Sequence, residues 1–216
     1  KVGRVGKCYG YDINSAYPTA MTKLPDMRGV TIDRHTPARG RRALEDERYT
    51  GLLRVRWDAR MASDMDRAGG LPWRARDGSI LFPCLGEGWY WAHEVKRALA
   101  TPIGSSLKII DSHTWRYSVC DEFAGVVAHM YADRKRLKDL GDIRQIGLKL
   151  GLNSLYGKLA QVGGRRRWYF PLWAGFITSY TRAMLLDAYA LNPDAVVGFA
   201  TDSIYTTEPL ALPESS

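Results

Sequence analysis

The stretch DEFAGVVAHMYADRKRLKDLGDIRQIGLKLGLNSLY, from Asp121 to Tyr156, predicts a pair of helices. Its apolar residues recur every three or four positions as far as Leu140, a spacing that predicts an amphipathic helix. Gly141 suits the residue that ends this helix, and Asp142 can cap a second helix that continues to about Tyr156. Two helices joined by so short a turn run antiparallel, so the sequence predicts an αα-hairpin.

Basic residues dominate the outward positions of this predicted hairpin. They are Arg134, Lys135, Lys138, Arg144 and Lys149. The whole chain of 216 residues carries 31 Lys and Arg against 23 Asp and Glu, which gives a net charge of +8. This balance fits an anionic partner, and the 11% aromatic content adds rings that can stack on nucleobases. Charge alone is weak support for a nucleic acid, because many proteins are simply basic.

Composition excludes several classes of protein. With 45% hydrophobic and 25% charged residues, the chain has the balance of globular proteins and not that of disordered ones. No stretch approaches the roughly 18 consecutive apolar residues of a membrane span, so no membrane partner is expected. The three cysteines are widely spaced and match neither a zinc pattern nor a disulfide framework. We therefore expect Cys8, Cys84 and Cys120 to be packing residues in a cytoplasmic protein that is not secreted.

The residues before the hairpin predict a strand, a short helix and a small α+β section. Lys7 to Ile13 is typical of a strand, and Pro18 suits the first turn of a helix that ends near Leu24. The stretch to about Gly51 is expected to be mainly loop with short extended pieces, because prolines, glycines and the basic run Arg39 to Arg42 interrupt it. The further predictions are strands at Gly51 to Asp58, Ser79 to Phe82 and Ser106 to Tyr117, a turn at Asp77-Gly78 and a helix at Gly88 to Ala100.

The residues after the hairpin predict one long helix and then a pair of strands. Helical spacing extends from Leu172 to Leu191. The apolar stripe of this helix, which we expect to face the core, is Trp173, Phe176, Tyr180 and Met184. The further predictions are a buried strand at Ala195 to Ala200, a turn at Thr201 to Ser203 and a strand at Ile204 to Thr207.

Three short segments stand out together: YDINSAYP at Tyr11 to Pro18, KLGLNSLYG at Lys149 to Gly157 and ATDSIY at Ala200 to Tyr205. They resemble the three polymerase motifs of family B DNA polymerases, D-x-x-S-L-Y-P, K-x-x-x-N-S-x-Y-G and D-T-D-S, and they occur in the same order. The gaps between them resemble those of the protein-primed branch found in phages, viruses and linear plasmids. A chance match of all three motifs in order is negligible.

The resemblance implies an α+β fold: a polymerase palm, which is an antiparallel sheet with packed helices, an αα-hairpin as the fingers, and an α+β insertion. The implied division is palm with the first motif at 1–25, palm continuation and a terminal-protein-region-like subdomain at 26–118, fingers at 119–157 and palm with the third motif at 158–216. The chain begins with Lys1 and stops soon after the third motif. We therefore expect this chain to be a piece of a longer protein, and we expect this piece to contain neither the thumb nor the exonuclease domain.

Asp12 and Asp202 are the candidate catalytic residues. Joining a nucleotide to a hydroxyl needs two hard divalent cations, one to lower the pKa of the hydroxyl and one to hold the triphosphate. Mg²⁺ prefers carboxylate and carbonyl oxygens, which the two aspartates and the backbone carbonyl of Ile13 can supply. Either aspartate alone is more simply a turn cap, but their occurrence in matched motifs favours the metal role. The resemblance implies two Mg²⁺ ions as cofactors, with Mn²⁺ as a substitute.

The second motif predicts a nucleotide-binding surface on the hairpin. Lys149 and Asn153 are four residues apart, so they share one helical face. The resemblance implies that both bind the incoming dNTP, together with Arg134, which resembles the fingers arginine of the family. The simpler alternative for Arg134 is a solvated basic face.

The first motif supplies a second set of contacts to the dNTP by resemblance. The amides of Ser15, Ala16 and Tyr17 are implied to hold phosphate oxygens, as amides at a helix start can do. The ring of Tyr17 is implied to lie under the sugar and to exclude a 2′-hydroxyl, although a core tyrosine is the simpler alternative. The residues implied to contact the nascent base pair or DNA are Tyr156, Gly157, Lys158 and Thr201.

The resemblance implies a template-directed DNA polymerase that acts in DNA replication and transfers a deoxynucleotide to a primer 3′-hydroxyl or to a priming-protein hydroxyl. The implied partners are primer-template DNA, dNTPs and a terminal protein. One departure bears on this reading: Ala200 stands where many relatives have the first Asp of D-T-D. We expect activity to survive this loss, because in the family that position is secondary to the retained aspartate. The alternative is a catalytically inactive polymerase-like module that binds nucleic acid or a priming protein.

Overall fold

The computed structural model describes residues 6–35, 37–60, 69–164 and 167–212, and the chain divides into two compact units. The strands of the described residues are β1 (Tyr9–Asp12), β2 (Asp33–His35), β3 (Tyr49–Asp58), β4 (Trp73–Arg74), β5 (Ile80–Leu81), β6 (Leu85–Trp91), β7 (Lys108–Arg116), β8 (Val196–Ala200) and β9 (Ser203–Thr206). The α-helices of the described residues are α1 (Ala16–Met21), α2 (Pro37–Glu45), α3 (Ala92–Ala98), α4 (Asp121–Asp139), α5 (Arg144–Ala160) and α6 (Pro171–Leu191).

The first unit combines Lys1–Ile13, Thr31–Arg116 and Arg182–Ser216. A three-stranded sheet has the order β1-β9-β8, a four-stranded sheet has the order β2-β7-β3-β6, and β4 pairs with β5; all pairings are antiparallel. The two larger sheets share one hydrophobic core with α3 and α6. Members of this core are Leu53, Val55, Trp57, Val95, Leu186, Tyr189 and Ile204. The long segment between the first motif and the helical hairpin therefore packs on the same core as the strands that end at the two aspartates.

β3 has the alternation that its sequence predicts. The buried residues are Leu53, Val55 and Trp57, and the exposed residues are Arg54 and Arg56. α2 lies on the buried side of the sheet, where a Cβ added to Gly40 would come within 3.2 Å of Leu53 and within 3.0 Å of Ile109. The charged side chains of β3 are thereby directed to the opposite face of the sheet.

Two predictions for this unit are wrong. The stretch before Gly51 contains a helix, α2, which begins at Pro37 and includes the basic run. Its pattern is hard to recognise because its buried residues are small, Gly40 and Ala43. The predicted helix from Gly88 to Ala100 is helical only over Ala92–Ala98, because the preceding residues form β6, whose backbone pairs with β3.

The second unit combines Asn14–Val30 with Tyr117–Thr181. It contains α1, α4, α5 and the first half of α6, and an isolated bridge joins Pro25 to Val119. The indole N–H of Trp173 donates to the Pro25 carbonyl at 2.8 Å, and the Tyr117 hydroxyl donates to the Lys23 carbonyl at 2.7 Å. These bonds fix the segment after the first motif against α6 and the start of α4.

The predicted αα-hairpin is confirmed. Gly141 follows α4 with a φ of 67°, the left-handed conformation that ends many helices. The Asp142 carboxylate accepts the backbone N–H of Arg144, the first residue of α5, at 2.9 Å, although the N-cap residue of this helix is Ile143 and not the predicted Asp142. The same carboxylate accepts a hydrogen bond from the Arg144 guanidinium. This side-chain hydrogen bond is the largest cause of the lowered pKa of the Asp142 carboxyl.

Two further packing predictions need correction. Of the predicted core stripe on α6, only Phe176 is fully buried; the fully buried large residues of this helix also include Ile177, Leu186 and Tyr189. Cys120 is buried and Cys84 half-buried, but Cys8 is exposed, so it is not a packing residue. No helix of the described residues is long and apolar enough to cross a membrane.

Candidate functional site

Asp12 and Asp202 lie side by side at the paired ends of β1 and β9. Asp12 is opposite Ser203 in the register, and Asp202 is the residue directly before it in the chain. The Ile13 N–H donates to the Asp202 carbonyl at 3.0 Å, and the Ser203 hydroxyl donates to Oδ1 of Asp12 at 2.7 Å. Asp12 is exposed and Asp202 half-buried. The antiparallel pairing of two strands thus brings together two aspartates that are 190 positions apart in the sequence.

The turn that carries Asp202 is a tight β-hairpin. Ala200 and Ser203 pair with each other, so Thr201 and Asp202 form a two-residue loop. Thr201 has a φ of 56°, which suits the positive φ that such hairpin turns require. Thr201 is exposed and directly precedes Asp202, and it is the residue of this turn predicted to contact DNA.

The described residues offer a small set of metal ligands at this point. Among them, no group of three or more His, Cys, Asp or Glu side chains could hold a metal ion. The oxygen donors are therefore the carboxylates of Asp12 and Asp202 and nearby backbone carbonyls such as that of Ile13. This set fits Mg²⁺, which keeps waters and substrate phosphates as its other ligands.

The turn after Asp12 belongs to the second unit and leads into α1. Ser15 has φ 55° and ψ 42°, a left-handed conformation, and its carbonyl accepts the N–H of Thr19 at 3.0 Å to start the helix. Ala16 is buried and Tyr17 half-buried. The amides of Ser15, Ala16 and Tyr17 are thus the N–H groups at the start of this helix, a position at which amides can bind an anion.

The ring of Tyr17 packs on the ring of Tyr156, with centroids 4.8 Å apart and planes tilted by 55°. The structure therefore joins two residues predicted to contact the nucleotide and the nascent base pair. Gly157 follows Tyr156 on α5, and a Cβ added there would meet nothing within 4 Å. This open space leaves the helix backbone accessible to a ligand.

Arg134 differs from its predicted outward position, since it is half-buried. Its Nε atom is buried, and no acceptor among the described residues contacts it. The neighbouring Asp133 instead pairs with Arg136 at 3.2 Å and with His129 at 3.4 Å. A buried donor without an acceptor costs about 1–3 kcal/mol, so a bound anion would stabilise Arg134.

Lys149 and Asn153 are exposed on α5, one helical turn apart, as predicted. Lys158 is also exposed, and its ammonium donates to Gln161 at 3.3 Å. By contrast Arg144, predicted to be outward, is held by Asp142 through three side-chain contacts of 2.6 to 3.1 Å. Lys149 is therefore the more available cation for a phosphate.

The predicted site residues fall into two sets. Asp12, Ile13, Thr201 and Asp202 lie in the first unit, and the residues assigned to the dNTP, together with Tyr156, Gly157 and Lys158, lie in the second. Sequence reasoning missed Ser203, although its place directly after Asp202 in a predicted hairpin was a usable signal. It also missed Tyr131, whose hydroxyl lies 3.4 Å from the Ser15 hydroxyl, because nothing in the sequence links these residues.

An antiparallel sheet that ends in two adjacent aspartates, joined in the same chain to a basic helical hairpin, defines a polymerase-like α+β fold. No protein-family model matches the chain. A DNA polymerase of Acidianus bottle-shaped virus (isolate Italy/Pozzuoli) is 23% identical over 220 residues, which cover 97% of this chain and 32% of that polymerase. The chain thus spans about a third of the length of this relative.

Solved structures of phi29 DNA polymerase have a similar fold. The complex with primer-template DNA superimposes with a TM-score of 0.60 and 18% identity, covering 97% of this chain and 39% of that chain. The ternary complex with incoming nucleotide substrates gives a TM-score of 0.56 and covers 97% of this chain and 40% of that one. The predicted α+β fold class and the resemblance to DNA polymerases are therefore confirmed.

Proposed function

We propose that this chain is the palm and fingers of a template-directed DNA polymerase that acts in DNA replication. Its reaction adds a deoxynucleotide to a primer 3′-hydroxyl or to the hydroxyl of a priming protein and releases pyrophosphate. The observation that carries the proposal is the adjacency of Asp12 and Asp202 on paired strands. A divalent cation bound by both side chains would neutralise their negative charges, which suits a site built on two aspartates.

Asp12, Asp202 and the carbonyl of Ile13 are the residues that would hold two Mg²⁺ ions, which Mn²⁺ could replace. Bound there, the ions would lower the pKa of the attacking hydroxyl and neutralise charge on the triphosphate. The Ser203 hydroxyl, which donates to Asp12, orients that carboxylate. No side-chain base is required.

The second unit supplies the proposed dNTP contacts. Lys149 is an exposed cation for the triphosphate, and Asn153 one turn away can donate a hydrogen bond to it. Arg134 offers the unsatisfied Nε, and the αL turn at Ser15 opens the first amides of α1 to phosphate oxygens. Tyr17, held against Tyr156, presents a ring that would exclude a ribose 2′-hydroxyl.

The proposed partners are primer-template DNA, dNTPs and a terminal protein, in the cytoplasm of a host cell. The first two are supported by the solved phi29 complexes, which contain primer-template DNA and incoming nucleotides. The net charge of +8 suits such polyanionic partners.

A second candidate function is a catalytically inactive polymerase-like module that binds nucleic acid or a priming protein. Ala200 favours it, because a third carboxylate is missing from the turn that carries Asp202. The two candidates differ in chemistry and not in fold, so an activity measurement separates them.

The test is incorporation of a labelled dNTP on a primed template by the full-length protein, with and without Mg²⁺. We expect Mg²⁺-dependent extension by the wild type and extension near background for Asp202→Asn, which keeps the shape of the side chain and removes its charge. Asp77→Asn is the matched control, since Asp77 is a turn residue that accepts hydrogen bonds from the backbone and the hydroxyl of Ser79, and an amide oxygen can still accept them. Equal activity of Asp202→Asn and the wild type removes Asp202 from the mechanism. Template binding without extension by the wild type favours the inactive module.

A further inference from the structure

An exposed indole lies on the four-stranded sheet, outside both sets of proposed active-site residues. Trp89 is on β6, opposite Arg54 of β3, and is 43% exposed. Residues opposite each other on paired strands project from the same side of the sheet. Trp89 therefore shares a face with Arg54 and Arg56, on the side opposite to the buried Leu53 and Val55.

The indole is held in place by a second ring. His113 of β7 stacks on Trp89, with ring centroids 5.1 Å apart and planes inclined by only 22°. The stack leaves much of the indole surface open to solvent, since Trp89 remains 43% exposed. A fixed and exposed aromatic ring is a preformed platform on which a further flat ring can stack.

Cations share this face of the sheet with the platform. Arg54 and Arg56 both pair with the single carboxylate of Glu87, at 2.5 and 2.6 Å, so one carboxylate faces two guanidinium groups. These two bonds also lower the pKa of the Glu87 carboxyl, chiefly through Arg56, and keep the cluster charged. Lys108, opposite Arg56, is exposed and forms no ion pair within the described part of the chain. Asp111 lies opposite Arg54, and Asp58, the next residue of β3 on this face, pairs with Arg60, so four cations stand against three carboxylates.

We propose that the Trp89 surface, formed by Trp89, His113, Arg54, Arg56 and Lys108, binds unpaired nucleotides of a single-stranded nucleic acid. Stacking needs a free base face, and guanidinium and ammonium groups beside the ring suit the phosphates that flank each base. In a duplex the faces of the bases are covered by their neighbours, so paired DNA could use only the cations. A protein segment as the ligand would not require the excess of positive charge that this surface carries. The surface is separate from the proposed catalytic residues, so its binding does not depend on catalysis.

The first experiment locates the contact. A short oligothymidine that contains 5-iodouracil is mixed with the full-length protein and irradiated, and the crosslinked residue is identified by mass spectrometry. Trp73 is the internal control, because it is equally exposed at 41% and lies on β4 of a different sheet. We expect crosslinks at Trp89 and few at Trp73. Equal crosslinking of the two, or none at Trp89, overturns the proposal.

The second experiment measures affinity by the anisotropy of labelled oligothymidine and of a labelled duplex. Trp89→Ala should weaken binding of the single strand at least about fivefold, the loss expected for one stacked base, and should leave duplex binding unchanged. Trp89→Phe should retain most of the affinity, and Trp73→Ala should change neither. If Trp89→Ala binds the single strand as the wild type does, or loses both ligands equally, the surface has another role and the proposal fails. Neither outcome bears on the polymerase proposal, which the dNTP incorporation assay tests separately.

Discussion

Ser15 and Thr201 are the described non-glycine residues with positive φ angles, 55° and 56°. Ser15 lies three positions after Asp12, and Thr201 directly precedes Asp202. A left-handed backbone costs roughly 1–2 kcal/mol for an L residue, and strained residues cluster at functional sites. The strain at both turns therefore supports a functional role for the two aspartates that they position.

The strain at Thr201 can be measured through stability. Thr201→Gly should raise the free energy of unfolding by up to about 1 kcal/mol, because glycine adopts a positive φ without steric cost. The greater conformational entropy of glycine in the unfolded chain offsets only part of this gain. Urea denaturation checks this. Thr207→Gly is the control. Thr207 donates both its N–H and its hydroxyl to the Ala195 carbonyl, so this variant loses the hydroxyl bond and its free energy of unfolding should fall. A similar loss in both variants would show that Thr201 is not strained.

Tyr17 provides the sharpest prediction about specificity. Tyr17→Val removes the ring that rests on Tyr156 and should admit ribonucleotides, so the ratio of kcat/KM for dNTP over rNTP should fall by at least about tenfold. Single-nucleotide incorporation with matched dNTP and rNTP measures the ratio. Tyr117→Phe, which removes a hydroxyl that bonds the Lys23 carbonyl in the same unit, should leave it unchanged. An unaltered ratio for Tyr17→Val would mean that another group reads the sugar.

Much of this site could be predicted from sequence, because its residues lie in three short motifs of fixed spacing. The first and third motifs each predict one aspartate of the site. The antiparallel pairing of β1 with β9 places Asp12 and Asp202 next to each other. The backbone strain and the Ser203 to Asp12 hydrogen bond were not predictable, since they depend on tertiary geometry. The half-burial of Arg134 was missed for the same reason: helical spacing alone does not show what covers a helix.

Among the secondary-structure elements, the helical hairpin was predicted best because its signals are local. Periodicity, a C-terminal glycine and the aspartate before the second helix all lie within one continuous segment. The sequence predicts a helix from Gly88, where the structure continues β6. The aromatic residues of β6 form a strand only because they pair with β3. α2 was missed because its buried residues are small and its surface strongly basic.

Two glycines of the hairpin, Gly141 and Gly147, predict opposite effects on stability. Gly141→Ala should lower the free energy of unfolding by about 1 kcal/mol, because its φ of 67° disfavours a Cβ. Gly147→Ala should raise the free energy by about 0.5–1 kcal/mol, since Gly147 lies inside α5 and a Cβ there meets nothing within 4 Å. Urea denaturation of both variants tests the pair. Changes of the same sign would contradict the assignment of Gly141 as the helix-ending residue.

At the scale of the whole molecule, the first unit is assembled from three separated parts of the chain. Glu94 of α3 is completely buried, and Arg182 of α6 donates to its two oxygens at 2.6 and 3.1 Å. This pair joins residues 88 positions apart. A buried pair contributes orientation more surely than stability, so we infer that it fixes α3 relative to α6 within this unit.

His93, beside Glu94, predicts how the stability of the molecule depends on pH. Burial lowers the pKa of the His93 imidazole well below its usual 6.5, and the cations Arg97 and Arg182 lower it further, while Trp91 stacks on the ring. The unfolded chain therefore takes up a proton near pH 6.5 that the folded chain refuses, and the free energy of unfolding should fall as pH drops below 6.5, by at most about 1.4 kcal/mol per pH unit. Urea denaturation between pH 7 and about 5 isolates this effect, because Asp46 and Asp58, with pKa values of about 2, lose their contribution only at lower pH. His93→Gln should flatten the dependence, and the same change at exposed His129 should preserve it. A wild-type stability that stays constant over this range would show that His93 is protonated equally in both states.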